Sequence, residues 1–473
     1  MEPALERKLG VAGILFMVVA AAAPITVVAA NFPIIFSVSE SIGAPLMILL
    51  ATVILLLFSV GYAWMTPFVP DAGAFYSYVD KGMGRRSGLG TAALALVSYV
   101  LLTVSMTCYL GVQASNLFLM WTGVSLPWWL VSALMLIIVG YLGYRDIELS
   151  AKVLAIVLIL EVVAVLFIDL GVIFSGRELS LSPFSPTQAL SGAPGLGLLF
   201  AFLGFFGFEA TAVFRNEAKT PERTIPRATY IAVSCIGILY TLSSWLVING
   251  LGTSNAVAAA SADPEHVVMN LAGEVVAPIM ADIVQILVVT SMFACMLAFH
   301  NIVTRYIFTL GQRGILPSAC ATVHPRHTAP SRASLLVSII TSVIVVVSAL
   351  IQLDPVIQIY TWYSGAGALG VIVMMTLTSI AVIVFGTSRG STQAPHVVRT
   401  LTALGTLGLL LVLIISIWNF PVLVGSNMAA IIWGIVLLGT FTVGLLSPSL
   451  HKASPVAMST EEHKTSETDH IVM

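Results

Sequence analysis

Charged side chains are what this sequence has least of. Twenty basic and 22 acidic residues make up 9% of 473 positions, against about 25% in soluble domains. With 58% hydrophobic residues and a mean hydropathy of +1.02, that scarcity excludes an ordinary water-soluble body. The net charge of −2 implies no nucleic-acid partner. Cysteine is scarce too. Cys108, Cys235, Cys295 and Cys320 form no C-x-x-C pair, which argues against a zinc or redox centre; no metal and no cofactor is expected. A cleaved leader is not expected either. The apolar run after Arg7 and Lys8 continues to Val38, too long for a signal peptide, and reads as a first membrane span.

Apolar runs of membrane length, about 20 residues each, fall at 11–38, 43–66, 90–118, 124–143, 151–174, 193–214, 228–250, 277–304, 333–351, 357–385, 400–420 and 427–446. Twelve transmembrane helices follow, because lipid cannot satisfy an open backbone and the alternation of barrel strands is missing. Nineteen of the twenty basic residues fall before the first run, in the even-numbered loops or in the tail; Arg177 is the exception. The positive-inside rule then predicts cytoplasmic N- and C-termini in the cell (inner) membrane. The opposite loops carry Glu40, Glu178, Asp263, Glu265, Glu274 and Asp354, which suits either a weakly cation-attracting vestibule or the indifference of acids to side. The loop 253–273 is expected to hold a short helix. Residues 1–446 read as one membrane domain, and 447–473, rich in Ser, Thr, Glu and His, as a disordered cytoplasmic tail.

Two runs five apart carry matching oddities. Run one contains Ala21-Ala22-Ala23-Pro24-Ile25-Thr26. Run six contains Gly192-Ala193-Pro194-Gly195-Leu196-Gly197 and then Gly204-Phe205-Phe206-Gly207-Phe208-Glu209-Ala210. Proline removes a backbone donor and glycine admits non-helical dihedrals. Interrupted segments at corresponding places in two halves point to a transporter's binding site; small residues that merely pack helices are the plainer alternative.

Run six and its exit, Asn216-Glu217-Ala218-Lys219-Thr220-Pro221-Glu222-Arg223-Thr224-Ile225-Pro226, resemble the amino acid–polyamine–organocation (APC) permease superfamily. So do Pro70-Asp71-Ala72-Gly73-Ala74-Phe75-Tyr76-Ser77-Tyr78 and the loop Gly311-Gln312-Arg313-Gly314-Ile315-Leu316-Pro317. The resemblance implies an all-α polytopic fold of the LeuT-like type. It has an inverted five-plus-five repeat, 11–174 and 193–385, with peripheral helices over 400–446. It implies a small-molecule substrate held at mid-membrane, its amino and carboxylate groups on the broken backbones. Carried over by position, these are Ala22, Ala23, Pro24 and Ile25 with Phe205, Phe206 and Gly207. Phe206 is placed as an outer gate; Phe205 suits packing equally well. Two departures stand out. The first run has Ala-Ala-Ala-Pro in place of a glycine-rich step, more like the polyamine-importer branch. No lysine lies at mid-span in run five, where Glu161 falls instead.

Four acids interrupt apolar runs: Glu161, Asp169, Glu209 and Asp282. A charge at mid-membrane costs about 3 kcal/mol, so an acid with no basic partner at its depth is a candidate proton carrier or amine or sodium ligand. Glu161 and Glu209 are the expected coupling or gating residues; a structural role in the bundle or at the broken helix competes. Asp169 and Asp282 lie nearer the outer interface. His300 fits a proton relay or a hydrogen-bonded buried histidine. Run three offers Tyr99, Tyr109 and several hydroxyls as cavity liners. Trp362-Tyr363-Ser364-Gly365 in run ten fits a gating stretch or an interfacial aromatic belt.

The expectation is a permease, not an enzyme. It imports an amino acid or polyamine by alternating access, driven by protons. Sodium coupling or exchange is the alternative. A membrane enzyme would need a His/Asp constellation that His324 and His327 do not make, and a receptor would need an attached signalling domain.

Overall fold

A computed structural model describes residues 7–69, 72–145, 147–388 and 393–446, without the side chains of 147–149 and 209–210. The tail 447–473, with its expected disorder, lies outside the described residues, as do Pro70 and Asp71. Among the described residues the chain is helical, and the one bridge of strand type joins Leu9 to Ala218. Ten helices among the described residues are long and apolar enough to cross a membrane. They occupy runs one to three, five and seven to twelve, from Val11–Ser39 to Asn427–Leu446. Runs four and six hold shorter apolar helices, Trp128–Tyr144 and Pro194–Leu203. Ten long helices and two short ones therefore stand where twelve full spans were expected. The outward side chains are apolar: Ile137, Leu407, Leu438 and Val443 are each more than 60% exposed. Helices apolar on every side belong in lipid.

Span one (Val11–Ser39) is interrupted near its middle. An α-helix runs from Val11 to Ala21. Ala23 then takes φ 49° and ψ 65°, the left-handed region, which costs an L-residue about 1–2 kcal/mol. Pro24 starts the second half at the position where a missing N–H is harmless. The chain next widens into a π-turn over Val27–Asn31 before resuming as Phe32–Ser39. Run six is interrupted as well, at Gly204–Gly207. Pro194–Leu203 is followed by turns, and Phe208–Glu217 continues as a tighter 3-10 helix. Gly207 has φ 108°, and a Cβ there would stand 2.5 Å from Cβ of Ala21. The two breaks thus touch each other, and only glycine permits the approach. The stretch Gly192–Gly197 is not an interruption: it is the start of the half-helix, tied to span one by the Ala193 amide donating to Ser39 O at 2.8 Å.

Spans five (Ser150–Phe174), seven (Pro221–Leu251) and eight (Ile279–Gln312) surround the first break and satisfy its loose ends. Backbone groups freed from a helix must find partners in a medium without water. Tyr240 of span seven donates its hydroxyl to Ala22 O at 3.2 Å, and Cys295 of span eight turns its thiol to Ala21 O at 3.2 Å. From span five, Glu161 Oε2 accepts the Ile25 amide at 3.2 Å. The segment expected to hold one short helix, 253–273, instead carries Ala256–Ala262 and the start of a second, Val267–Val275.

Candidate substrate site

A cavity of about 420 Å³ lies against the breaks, within the range of small-molecule sites, about 300–1,000 Å³. Span one supplies Ala22 and Ala23 and then Thr26, Ala30, Ile34 and Val38, a stripe climbing from the break almost to the end of the span. Phe200, Leu203, Gly204 and Phe206 close the side of run six. Leu102 and Met106 come from span three (Arg85–Thr122), and Met292, Cys295 and Phe299 from span eight. Span ten (Pro355–Thr387) gives Tyr360, Thr361, Ser364, Gly365 and Ala368, and Val422 and Leu423 cap the far end. Polarity is confined to Thr26, Asn31, Cys295, Tyr360, Thr361 and Ser364. Thr26 Oγ1 is buried with no hydrogen-bond partner among the described residues. No charged side chain lines the cavity among the described residues.

The sequence-predicted residues divide around this space. Ala22, Ala23 and Phe206 line it. Pro24 and Ile25 do not; Pro24 starts the half-helix and Ile25 presents its amide to Glu161. Phe205 is fully buried and meets Tyr240 edge-on, with centroids 5.9 Å apart, while Gly207 faces Ala21. Tyr99 is buried against Phe299 and Tyr306. Tyr109 stacks at 4.2 Å on Tyr360, so it touches the site through a lining residue. His300 Nε2 meets Ser334 Oγ at 2.9 Å, away from the cavity, and its Nδ1 has no partner among the described residues. Glu161 is fully buried beside the first break, and its Oε1 has no hydrogen-bond partner among the described residues. The backbone of Glu209 lies in the 3-10 segment; its side chain is outside the described residues. Asp169 is buried, with Ser243 donating to its Oδ2 at 2.6 Å. Asp282 sits in the exposed first turn of span eight, where an acid suits the helix dipole. Ser364 and Gly365 line the cavity, whereas Tyr363 packs on Trp433.

The sequence reading did not single out Met106, Met292, Phe299, Tyr360 or Asn31. Their one signal is spacing: Met292, Cys295 and Phe299 share a helical face, as do Tyr360, Ser364 and Ala368. Among the described residues no three His, Cys, Asp or Glu side chains gather as metal ligands.

Beyond the break, at the end of span one opposite Val38, the molecule is closed. Leu9 pairs with the exit of run six, its amide donating to Glu217 O at 2.8 Å and its carbonyl accepting from the Lys219 amide at 2.9 Å. Arg305 of span eight grips the Glu217 carboxylate with Nε at 3.2 Å and Nη2 at 3.0 Å, and Asn301 Oδ1 accepts from Nη1 at 2.9 Å. Both charged side chains are 2% exposed.

Comparison with known proteins places this geometry. The sequence pattern of the amino acid permeases matches residues 9–441. The chain belongs to the amino acid permease family. Among curated relatives, the permease is 24% identical over 372 residues to the branched-chain amino acid permease BcaP of Bacillus subtilis, covering 74% of each chain. It is 23% identical over 298 residues to BcaP of Lactococcus lactis, covering 59% of this chain but only 63% of that relative's length. The low-affinity putrescine importer PlaP of Escherichia coli is 21% identical over 357 residues, covering 73% of this chain and 75% of PlaP. This chain shares its fold with the manganese transporter of Eremococcus coleocola, solved with an aromatic bis-isothiourea compound. The TM-score is 0.58 at 15% identity, over 94% of this chain and 96% of that one. The family is one of transporters, which sets the membrane-enzyme alternative aside.

Proposed function

We propose that this permease carries an amino acid with an apolar side chain, as the zwitterion, across the cytoplasmic membrane by alternating access, with proton binding at Glu161 as the drive. The observation that carries the substrate reading is the cavity itself: apolar walls, a broken backbone at its floor and no charged side chain among the described residues. A diamine there would leave two buried ammonium groups without counter-charge, a cost of several kcal/mol each. A zwitterion instead brings both charges to one end. Its carboxylate suits the half-helix beginning at Pro24 and its ammonium the half-helix ending at Ala21, through the opposed dipole ends. The side chain then projects toward Met106, Met292 and Phe299. Glu161 supports the coupling reading because its carboxyl holds the Ile25 amide, so its proton and the shape of the break are linked. The domain halves 11–174 and 193–385 move against each other in this reading, and both termini are cytoplasmic.

Uptake into proteoliposomes tests it. Leucine or phenylalanine uptake should follow an inward proton gradient, collapse with a protonophore and ignore sodium. Glu161→Gln should retain exchange while losing the response to the gradient. Uptake of putrescine alone overturns the substrate reading; a sodium requirement, or a full gradient response in Glu161→Gln, overturns the coupling reading.

A further inference from the structure

Glu161 does not line the substrate cavity, so a proton reaching it needs a way in. Eight residues along span five, about 12 Å along the axis, stands Asp169, also buried. Each acid keeps one oxygen, Glu161 Oε1 and Asp169 Oδ1, buried and without a hydrogen-bond partner among the described residues. Span seven runs beside them and contributes two hydroxyls three residues apart, hence on one face. Ser243 donates to Asp169 Oδ2 at 2.6 Å. Tyr240 donates to Ala22 O at 3.2 Å, beside the turn whose Ile25 amide is held by Glu161. Ser291 of span eight sets a buried hydroxyl beside the Glu161 carboxylate, and neither Ser291 Oγ nor Glu161 Oε1 completes a hydrogen bond of good geometry among the described residues. None of these side chains lines the cavity. Asp169 retains 6% exposure and Glu161 none.

We propose that the seam between spans five and seven, Asp169–Ser243–Tyr240–Glu161, is a proton path separate from the substrate cavity, with Asp169 as its outer station. This rests on the proton-coupled reading above. A proton from the outer side binds a carboxylate oxygen of Asp169. It then moves inward as O–H bonds break on one rung and form on the next, ending on Glu161; rotation of the hydroxyls or a bridging water spans the gaps. No other bond changes and no redox partner is needed. The titratable groups facing Glu161 are Tyr240 and Cys295. Asp169 is faced by Ser243, and neither acid has an ion-pair partner among the described residues. The seam is therefore a polar strip in an apolar wall, with one oxygen of each acid unbonded among the described residues. Such orphaned oxygens are costly where they have no function, and each rung offers one site for a passing proton.

Separate paths make a distinctive prediction. Asp169→Asn and Ser243→Ala are assayed in proteoliposomes for gradient-driven uptake, for counterflow exchange and for leucine binding by thermal shift. Gradient-driven uptake should fall about tenfold or more in Asp169→Asn and less in Ser243→Ala. Exchange and binding should keep wild-type values, and Asp169→Glu should recover the rate. Wild-type driven uptake in both variants overturns the path. So does an equal loss of driven uptake and exchange, which marks a structural role. If Asp169→Asn does not fold, Ser243→Ala decides. If the wild-type protein ignores the proton gradient, the coupling reading and the path fall together; if Glu161→Gln behaves as proposed and Asp169→Asn is silent, the path alone falls.

Discussion

Met292 shows what a cavity-lining residue looks like in a membrane protein: like any other apolar side chain of a span. It touches the cavity together with Met106 and Phe299, and methionine's unbranched chain lets such a wall adapt to substrates of different shape. Truncating it enlarges the space for the substrate side chain. Met292→Ala should raise the kcat/KM ratio for phenylalanine over leucine about tenfold, the scale set by one or two methylenes in an apolar pocket. Competition uptake with the two labelled substrates reads the ratio, and an unchanged ratio places Met292 outside the side-chain pocket. This is also the scale at which the sequence was least legible. Ala22, Ala23 and Phe206 were found because the break and the family motif mark them. Met106, Met292 and Tyr360 carry no such mark, since lipid-facing, core and cavity positions all select apolar residues. Tyr99 is the converse case: a polar aromatic within a span reads as one of several candidate liners, and here it packs on Phe299, which lines the cavity, and on Tyr306.

Helices break here by composition, and that made the elements easier to read than the side chains. Ala-Pro in span one foretold an interruption, and the left-handed residue is Ala23, one step before the proline. In run six two glycine-rich stretches competed. Proline settles the first, because Pro194 at the first helical position begins a helix rather than breaking one. The second, Gly204–Gly207, holds the true break, where positive φ and the contact with Ala21 coincide. The left-handed alanine gives a test at this scale. Ala23→Gly should keep transport and raise stability by about 1 kcal/mol, by removing the Cβ penalty. Ala23→Val, β-branched where φ is positive, should lose both. Thermal unfolding in detergent and exchange in proteoliposomes report the pair. Equal stability of Gly and Val would mean that Ala23 is not left-handed in the protein.

For the whole molecule the decisive feature is asymmetry along the axis. The cavity reaches from the breaks toward Val38 and Leu423, while the other end is sealed by Leu9, Glu217 and Arg305. The charge census of the sequence counted Arg305 in the loop after run eight, whereas it lies within span eight, Ile279–Gln312. It gave no hint that Arg305 would be buried on Glu217, because two residues 88 apart reveal no partnership without the fold. A buried pair adds little net stability against an apolar replacement, but removing one partner costs about 3–5 kcal/mol because a charge is left unpaired. In an alternating-access cycle that cost falls on the state in which the pair is formed. Each 1.4 kcal/mol shifts the population tenfold, so Glu217→Gln should open this end more than a hundredfold. A cysteine placed at Ala218 would then react with a membrane-impermeant thiol reagent from the side of Leu9, in a background lacking the native cysteines. The double variant Glu217→Gln/Arg305→Met removes both charges and should close the end again. Labelling that rises in the single variant and falls back in the double one is the signature of a gate. Labelling that rises and stays high in both would instead show that the pair holds the spans together and that its loss loosens the whole end.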